Sequence, residues 1–357
     1  MIDTADLVIA FVISALTTFF VTPLIRKIAI KLDIVDKPDN IRKSHDKTKA
    51  SFGGVGIFIG ALAGFLYLQP EHPQMQAVII GACIMLVTGI LDDIFELKPY
   101  YKLAGQLLAA LTLVSSGLVI DKLTVPFFGT VYLDGLAYVI TIIWVLAASN
   151  AINLIDGLDG LAAGVSVIGL SSILVMAVMD YRIVVAYLCV ILIGSCIGFL
   201  YYNFHPATIF MGDTGALLLG YSIAVVSMLG LFKNVALFSF AIPIIVIAVP
   251  FFDTTLAIIR RAINRQGIAT ADKKHIHYQL MKMGYSHRTA VLIIYGFSAF
   301  FGGMAIVFNS GTMLSSFIIF GMIIVGMQLI AELAGVAMGH QPILNRLRRI
   351  LGPGKVE

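Results

Sequence analysis

Aspartates at the ends of apolar runs are the residues of this sequence best suited to chemistry. Asp92 and Asp93 close one such run, Asp156 and Asp159 follow another, and Asp213 opens a third. An ionisable group near the hydrocarbon core costs roughly 2.5–3.5 kcal/mol at mid-depth, so it is by default a functional candidate. Carboxylate oxygens are the ligands that Mg²⁺ prefers. The pattern predicts a hard-cation site, and the plainer alternative is that these carboxylates only cap helices.

Asparagines extend the middle group of carboxylates. Asn150, Asn153, Asp156 and Asp159 offer side-chain oxygens every three residues, and neighbours at this spacing lie close together on a helix surface. The glycines that follow Asp156 and Asp159 are expected to break the helix and let the backbone approach a ligand. The alternative is that the asparagines only form hydrogen bonds between helices.

Glycines and basic loops supply the complement to the carboxylates. Asp213 stands between Gly212 and Gly215 at the start of an apolar run, and a helix N-terminus with glycines is a good anion site. Basic residues lead into the Gly53-Gly54 pair, and a long basic loop contains His275 and His277. Carboxylates that can bind a cation, together with neighbouring basic loops, predict a site for a phosphorylated, polyanionic substrate.

The elements that position these residues are predicted to be membrane-spanning helices. Of the 357 residues, 59% are hydrophobic and 12% are charged, with a mean hydropathy of +0.97, whereas a soluble domain carries about 25% charged residues. We read the apolar runs as residues 5–25, 53–69, 75–91, 103–120, 131–151, 160–179, 183–203, 214–231, 236–258, 289–308 and 313–335. A span needs about 20 residues, so the sequence predicts an all-α polytopic membrane protein with about 11 transmembrane helices and a single domain over residues 1–357.

Basic residues predict the orientation of these spans. With the N-terminus outside, all of the 24 Lys and Arg residues except Lys122, Arg182 and Lys233 face the cytosol, as the positive-inside rule requires. The predicted cytosolic segments are residues 26–52, 92–102, 152–159, 204–213 and 259–288 and the tail 336–357. The acidic span ends fall on this side as well, although they were not used to derive it.

Several other classes fit less well. The three cysteines lie inside apolar runs, which is typical of packing residues, and no segment interleaves basic with aromatic residues as a nucleic-acid site would. A secondary transporter would place its ionisable groups near the midplane and often shows internal repeats, neither of which we find. A structural membrane subunit would not need this combination of acids and basic loops.

Five ordered blocks resemble a known enzyme family over essentially the whole chain. They are Gly53-Gly54, Asp92-Asp93 with Leu97, Lys102 and Gln106, the run from Asn150 to Gly164, the run from Pro206 to Gly215, and His275-Ile-His277 after Arg260-Arg261. The sequence resembles the polyprenyl-phosphate N-acetylhexosamine-1-phosphate transferases, also called glycosyltransferase family 4. These membrane enzymes move a sugar 1-phosphate from a UDP-sugar to a lipid phosphate.

Within the family, the sequence looks like the bacterial GlcNAc-1-phosphate transferases that begin teichoic acid linkage units or related wall polymers. The alternative branch uses UDP-MurNAc-pentapeptide for peptidoglycan and typically has three consecutive histidines and ten spans. This chain has His275-Ile-His-Tyr278 and eleven predicted spans. Tyr278 also departs from the histidine that the GlcNAc branch commonly has there.

The resemblance implies catalytic roles for three aspartates. Asp213 would be the main Mg²⁺ ligand with Asn153 as a second ligand, and Mn²⁺ would be an acceptable substitute. Asp92 would deprotonate or orient the lipid phosphate, with Asp93 as its catalytic partner. We favour direct attack by the lipid phosphate, and a phospho-aspartyl intermediate is the alternative.

The resemblance also implies a substrate-binding set and the partners of the protein. The set comprises Lys102, Asn150, Asn153, Asp156, Asp159, Phe210, Arg260, His275 and His277. Phe210 would stack on uracil, and the loop histidines with Arg260 would contact the diphosphate or the sugar. UDP-GlcNAc, undecaprenyl phosphate and the bacterial plasma membrane are the implied partners, with the active site on the cytosolic face and a homodimer left open.

Overall fold

The apolar runs of the sequence form helices in the structure. A computed structural model describes residues 4–36, 49–125, 129–230, 241–263, 275–310 and 313–333. Residues 37–48 of the first predicted cytosolic loop, residues 264–274 of the long loop and the predicted tail 336–357 lie outside the described residues.

Thirteen helices make up most of the described chain. Their bounds are α1 Thr4–Lys31, α2 Gly53–Leu68, α3 Met75–Phe95, α4 Pro99–Ser115, α5 Leu136–Ile155, α6 Leu161–Met179, α7 Ile183–Asn203, α8 Gly212–Gly230, α9 Ala241–Val246, α10 Ala248–Ile263, α11 Ile276–Lys282, α12 His287–Ser310 and α13 Met313–Leu333. Each predicted apolar run overlaps one helix, except that the run 236–258 overlaps both α9 and α10. The all-α class and the polytopic membrane character are therefore confirmed.

Seven of the described helices are long and apolar enough to cross a bilayer: α1, α3, α5, α6, α7, α8 and α12. Helix α2 has 16 residues and α4 has 17, which is short for a span of about 20 residues. The predicted number of eleven crossings, the orientation and the single domain therefore stay predictions.

Helix α8 lies at the centre of the bundle and packs against α2, α3 and α5. In its most apolar 18-residue window 83% of the residues are buried, the largest share among the seven candidate spans. Glycines make these approaches possible, because a Cβ at Gly54 would lie 2.1 Å from the backbone nitrogen of Gly215, and one at Gly89 would lie 2.3 Å from the Cα of Thr214. The N-terminus of α8 is therefore held against α2 and α3 by direct backbone contact.

Two small sheets complete the fold. β1 (Val35–Asp36) pairs antiparallel with β2 (Lys49–Ser51), and β2 pairs in parallel with β5 (Ile209–Phe210). β3 (Lys122–Val125) and β4 (Gly129–Tyr132) form a separate antiparallel pair. Strands of two to four residues are too short to leave a period-two pattern, so the sequence does not predict them. The first sheet ties the segment before α2 to the segment before α8.

We expect Gly54→Ala to destabilise the protein, because its new methyl group would collide with the backbone at Gly215. Overpacking of this kind costs roughly 1–3 kcal/mol. Thermal unfolding of the purified protein in detergent should show a midpoint lower by several degrees. Gly303→Ala on α12 is the matched control, since a Cβ there meets nothing within 4 Å among the described residues. Equal midpoints for the two variants would contradict the close approach.

Candidate active site

The ends of three helices and one small sheet meet around a single cavity. Helices α3 and α5 end there, α8 begins there, and β2 and β5 form part of its wall. The cavity has a volume of about 640 Å³, within the usual range of small-molecule sites. Its lining includes Asp92, Asp93, Asn153, Asp156, Asp159 and Asp213. The structure therefore brings together the carboxylates that the sequence analysis singled out.

Lys102 joins two of these carboxylates. Its Nζ lies 2.7 Å from Asp92 Oδ2 and 2.6 Å from Asp213 Oδ1. Asp92 is buried, whereas the Asp213 side chain is 30% exposed. Since two carboxylates this close repel each other unless a cation lies between them, the ammonium group balances their charge. The predicted phosphate-neutralising lysine therefore lies among the acids.

Asp93 contacts the backbone at the start of α8. It accepts hydrogen bonds from the Asp213 N–H at 2.8 Å, the Thr214 N–H at 3.1 Å and the Thr214 hydroxyl at 2.5 Å. A carboxylate at this position satisfies N–H groups that have no partner within the helix and favours its positive end. These contacts favour a role in positioning Asp213 over the catalytic role that was predicted for Asp93.

The two predicted asparagines have different surroundings. Asn153 lines the cavity and forms a side-chain hydrogen bond with Asp213, which suits the predicted metal-ligand role. Asn150 exchanges hydrogen bonds with Gln106 of α4 at 2.7 and 3.3 Å and donates to the Leu146 carbonyl. Asn150 is not among the residues that line the cavity, so its contacts fit a bond between α4 and α5.

The segment between α5 and α6 presents Asp156 and Asp159 to the cavity, and the predicted helix break at the glycines is confirmed. Burial, together with the nearby carboxylates of Asp213 and Asp159, raises the pKa of Asp156 to about 7. Asp159 Oδ2 lies 3.3 Å from Lys49 Nζ and 2.9 Å from the Ala207 nitrogen. Burial alone would raise the pKa of Asp159, but these donors outweigh it and hold that pKa below its usual range.

An aromatic side chain and a cation stand together on the β2–β5 wall. Lys49 Nζ lies 4.8 Å from the centroid of the Phe210 ring, a distance typical of cation–π contacts. Both residues line the cavity. The stacking role of Phe210 on uracil stays a prediction, and the structure adds a cation beside the ring.

His275, one of the two loop histidines, is held by a buried aspartate on α10. His275 Nδ1 lies 2.8 Å from Asp253 Oδ2, and the Ile276 N–H donates to Asp253 Oδ1 at 3.0 Å. Asp253 therefore caps the N-terminus of α11. The helical run is interrupted at Ile247, between α9 and α10, and the Asp253 carboxylate of α10 contacts His275. This carboxylate thus positions α11.

His277 packs against the segment that carries the aspartates. A Cβ at Gly157 would lie 2.4 Å from His277 Nε2, so only glycine fits there. His277 is 1% exposed, and its ring nitrogens have no hydrogen-bond partner among the described residues. Burial lowers the pKa of His277 to about 4, so the imidazole is neutral at pH 7 and can exchange hydrogen bonds without carrying charge.

Some cavity residues were not predicted, and some predicted site residues are not among those that line the cavity: Lys102, Asn150, Arg260, His275 and His277. Lys49, His205, Tyr278 and His287 line the cavity. The positions of His205 and His287 could have indicated that they belong to the site. Each of them stands beside the end of a predicted span, as the site carboxylates do. Arg260 is buried on α10 and is not among the residues that line the cavity.

The chain is similar in sequence to one known protein family and to several named proteins. The profile described as "Glycosyl transferase family 4" matches residues 75–231, which include the α3, α5 and α8 ends. A Bacillus subtilis protein described as "Probable undecaprenyl-phosphate N-acetylglucosaminyl 1-phosphate transferase" is 51% identical over 92% of each chain. The Mycobacterium leprae "Decaprenyl-phosphate N-acetylglucosaminephosphotransferase" is 34% identical over 89% of each chain. The Escherichia coli K12 "Undecaprenyl-phosphate alpha-N-acetylglucosaminyl 1-phosphate transferase" is 27% identical, covering 81% of this chain and 79% of its own length.

A bundle of apolar helices with a carboxylate-lined cavity at the helix ends is typical of a polytopic membrane enzyme. With a relative 51% identical along nearly its whole length, the chain belongs to glycosyl transferase family 4. The resemblance recognised in the sequence is thereby confirmed, and the protein is a phosphoglycosyltransferase.

Asp93→Ala should lower thermal stability as well as activity, because α8 would lose three hydrogen bonds at its start. Loss of a cap costs roughly 0.5–2 kcal/mol. Thermal unfolding in detergent should show a drop of a few degrees, and Asp93→Asn, which keeps one acceptor oxygen, should drop less. Glu71→Ala, at an exposed acid, is the control. An Asp93→Ala protein with unchanged stability but no activity would instead support the catalytic role.

Asp156 should make the stability of the metal-free protein depend on pH. Its pKa is raised from 3.8 to about 7 in the folded chain, so its contribution to stability is complete below about pH 4 and is lost as the pH rises through about 7. Asp156→Asn stays neutral and should raise the unfolding temperature in EDTA more at pH 8 than at pH 5. Asp134→Asn, at an exposed position, should show no such difference. Equal shifts at both pH values for Asp156→Asn would contradict the raised pKa.

Proposed function

We propose that the chain transfers GlcNAc-1-phosphate from UDP-GlcNAc to undecaprenyl phosphate and releases UMP, in a reaction that depends on Mg²⁺. The observation that carries this proposal is the contact of Lys102 with Asp92 and Asp213, two carboxylates that line the cavity. The described names of the relatives at 51% and 27% identity support this choice of sugar and lipid.

The donor set of the cavity suits Mg²⁺. Asp213, Asp92 and Asn153 present carboxylate and amide oxygens, and the partly exposed Asp213 side chain is accessible from the cavity. Mg²⁺ is commonly held by one or two carboxylates together with substrate phosphates. Asp213 and Asn153 would hold the ion. The Lys102 ammonium already lies between Asp92 and Asp213, so these two carboxylates are placed to balance positive charge. When bound, the ion would neutralise the diphosphate and stabilise the UMP leaving group.

The reaction exchanges one phosphorus–oxygen bond for another. An oxygen of the lipid phosphate forms a bond to the β-phosphorus of UDP-GlcNAc, and the bond from that phosphorus to the bridging oxygen breaks, so UMP leaves with both electrons of the bond. The sugar stays attached to the β-phosphate. Such transfers require mainly positioning and neutralised charge, which Lys102 provides beside the two carboxylates.

Asp92 is the residue placed to prepare the nucleophile. A phosphate monoester has a second pKa of about 6, so most of the lipid phosphate is already a dianion near pH 7. Asp92 needs only to accept the last proton or to orient the phosphate, while Lys102 limits the repulsion between carboxylate and phosphate. This step needs no covalent enzyme intermediate.

The opposite side of the cavity suits the nucleotide sugar. Phe210 offers a ring for the uracil, while Lys49 and Asp159 stand beside that ring. Gly157 also lines this part of the cavity, and the buried, neutral ring of His277 packs against it from behind the lining. The cytosolic location of this face is supported by the distribution of basic residues, and a role at the start of teichoic acid synthesis follows from the resemblance.

The deciding assay combines purified protein, Mg²⁺, undecaprenyl phosphate and radiolabelled UDP-GlcNAc. We expect labelled lipid and UMP in equal amounts, and loss of both with EDTA. Asp92→Asn should lose at least about 100-fold in kcat, the usual scale for removal of a catalytic acid or base. Asp213→Asn should also lose most activity, because it removes the charge of the proposed main Mg²⁺ ligand. Glu71→Gln is the control that removes an exposed acid outside the cavity lining.

Two results would overturn the proposal. Absence of labelled lipid with UDP-GlcNAc, together with product from UDP-MurNAc-pentapeptide, would assign the chain to the peptidoglycan branch. Activity near that of the unchanged protein in Asp92→Asn and Asp213→Asn would refute the roles given to these carboxylates.

A further inference from the structure

Three side chains at one edge of the cavity form a cluster that the proposed reaction does not use as a unit. Asp159, His205 and His287 each offer a ligand atom, and these atoms all lie within 4.8 Å of one another. His205 Nδ1 is 2.9 Å from Asp159 Oδ2, and the rings of His205 and His287 stack with centroids 4.2 Å apart. The three residues come from the segment before α6, the segment before β5 and the first residue of α12.

The hydrogen bonds of His287 leave one ring nitrogen as a bare acceptor. The ring donates a hydrogen bond to the backbone of Asp159, whereas Nε2 is buried and has no partner among the described residues. The donor is therefore Nδ1, and Nε2 carries the lone pair. Metal-binding histidines commonly show this arrangement, in which a backbone carbonyl fixes the tautomer and aims the other nitrogen.

The ligand types select the kind of cation. Two imidazoles and one carboxylate form a set typical of Zn²⁺ and related transition metals, whereas Mg²⁺ prefers oxygen ligands alone. Zinc takes such ligands at about 2.0–2.2 Å, so ligand atoms that lie up to 4.8 Å apart must draw together when the ion binds. The cluster shares no side chain with the carboxylates around Lys102.

We propose that Asp159, His205 and His287 form a second cation site that binds a transition metal of the Zn²⁺ type in competition with Lys49. The ammonium of Lys49 lies 3.3 Å from the same Asp159 oxygen that contacts His205. A divalent ion with three ligands displaces a single ammonium group, and the long lysine side chain is free to swing away from the carboxylate.

Occupancy of this site would change the nucleotide side of the cavity. Lys49 also stands over the Phe210 ring, so a metal on Asp159 would disturb the surface proposed to hold the uridine. We therefore expect Zn²⁺ to inhibit competitively with UDP-GlcNAc. This consequence rests on the proposed function, whereas metal binding does not.

Co²⁺ binding tests the site without any need for activity. Tag-free, full-length protein in detergent is stripped with EDTA, given excess Mg²⁺ to fill oxygen-ligand sites, and titrated with Co²⁺. We expect one equivalent to bind with the intense visible absorption of tetrahedral Co²⁺, which Zn²⁺ then displaces. His205→Gln and His287→Gln should each lose this absorption. His72→Gln, a histidine outside the cavity lining, should keep it.

A variant that binds Co²⁺ more tightly tests the proposal in a way that misfolding could not imitate. Lys49→Met keeps the apolar stem and removes the competing charge, so it should bind Co²⁺ at least tenfold more tightly than the unchanged protein. Octahedral spectra alone, spectra that persist in both histidine variants, or unchanged affinity in Lys49→Met would each overturn the site. Tetrahedral binding without inhibition by Zn²⁺ would overturn only its effect on the nucleotide.

Discussion

The cost of charge in an apolar bundle is the constraint on which the rest of this structure depends. Only 12% of the residues are charged, and Asp92 is buried at the end of a span. Such a carboxylate persists only with a partner, and Lys102 serves Asp92 and Asp213 at once. The ammonium group that stabilises the two carboxylates therefore also supplies the positive charge that a phosphate needs nearby.

Close backbone packing turns that cluster into a site of defined geometry. Helix α8 starts against α2 and α3, and Asp93 holds its first N–H groups. Asp213 is consequently fixed beside Asn153 and Lys102. A site built on helix ends is rigid, which suits phosphoryl transfer because that reaction depends mainly on positioning.

The two sides of the cavity carry different chemical groups. One side gathers carboxylates around Lys102, and the other gathers Phe210, Lys49 and the histidines around Asp159. Asp159 keeps its pKa low through its donors, whereas Asp156 has a pKa near 7. Neighbouring carboxylates in one segment thus carry different charge at neutral pH, a difference set by their partners.

The sequence by itself determined the membrane class, the helices, the acidic span ends and the family, because hydropathy and motif spacing are local properties of the chain. Tertiary structure alone decided which groups pair. Lys102 meets Asp213 across 111 residues, Asp93 binds the start of α8, Asp253 holds His275, and His205 and His287 join Asp159. Such contacts depend on how the helices pack. Hydrophobic periodicity shows which residues form a helix but not which distant helix ends come together.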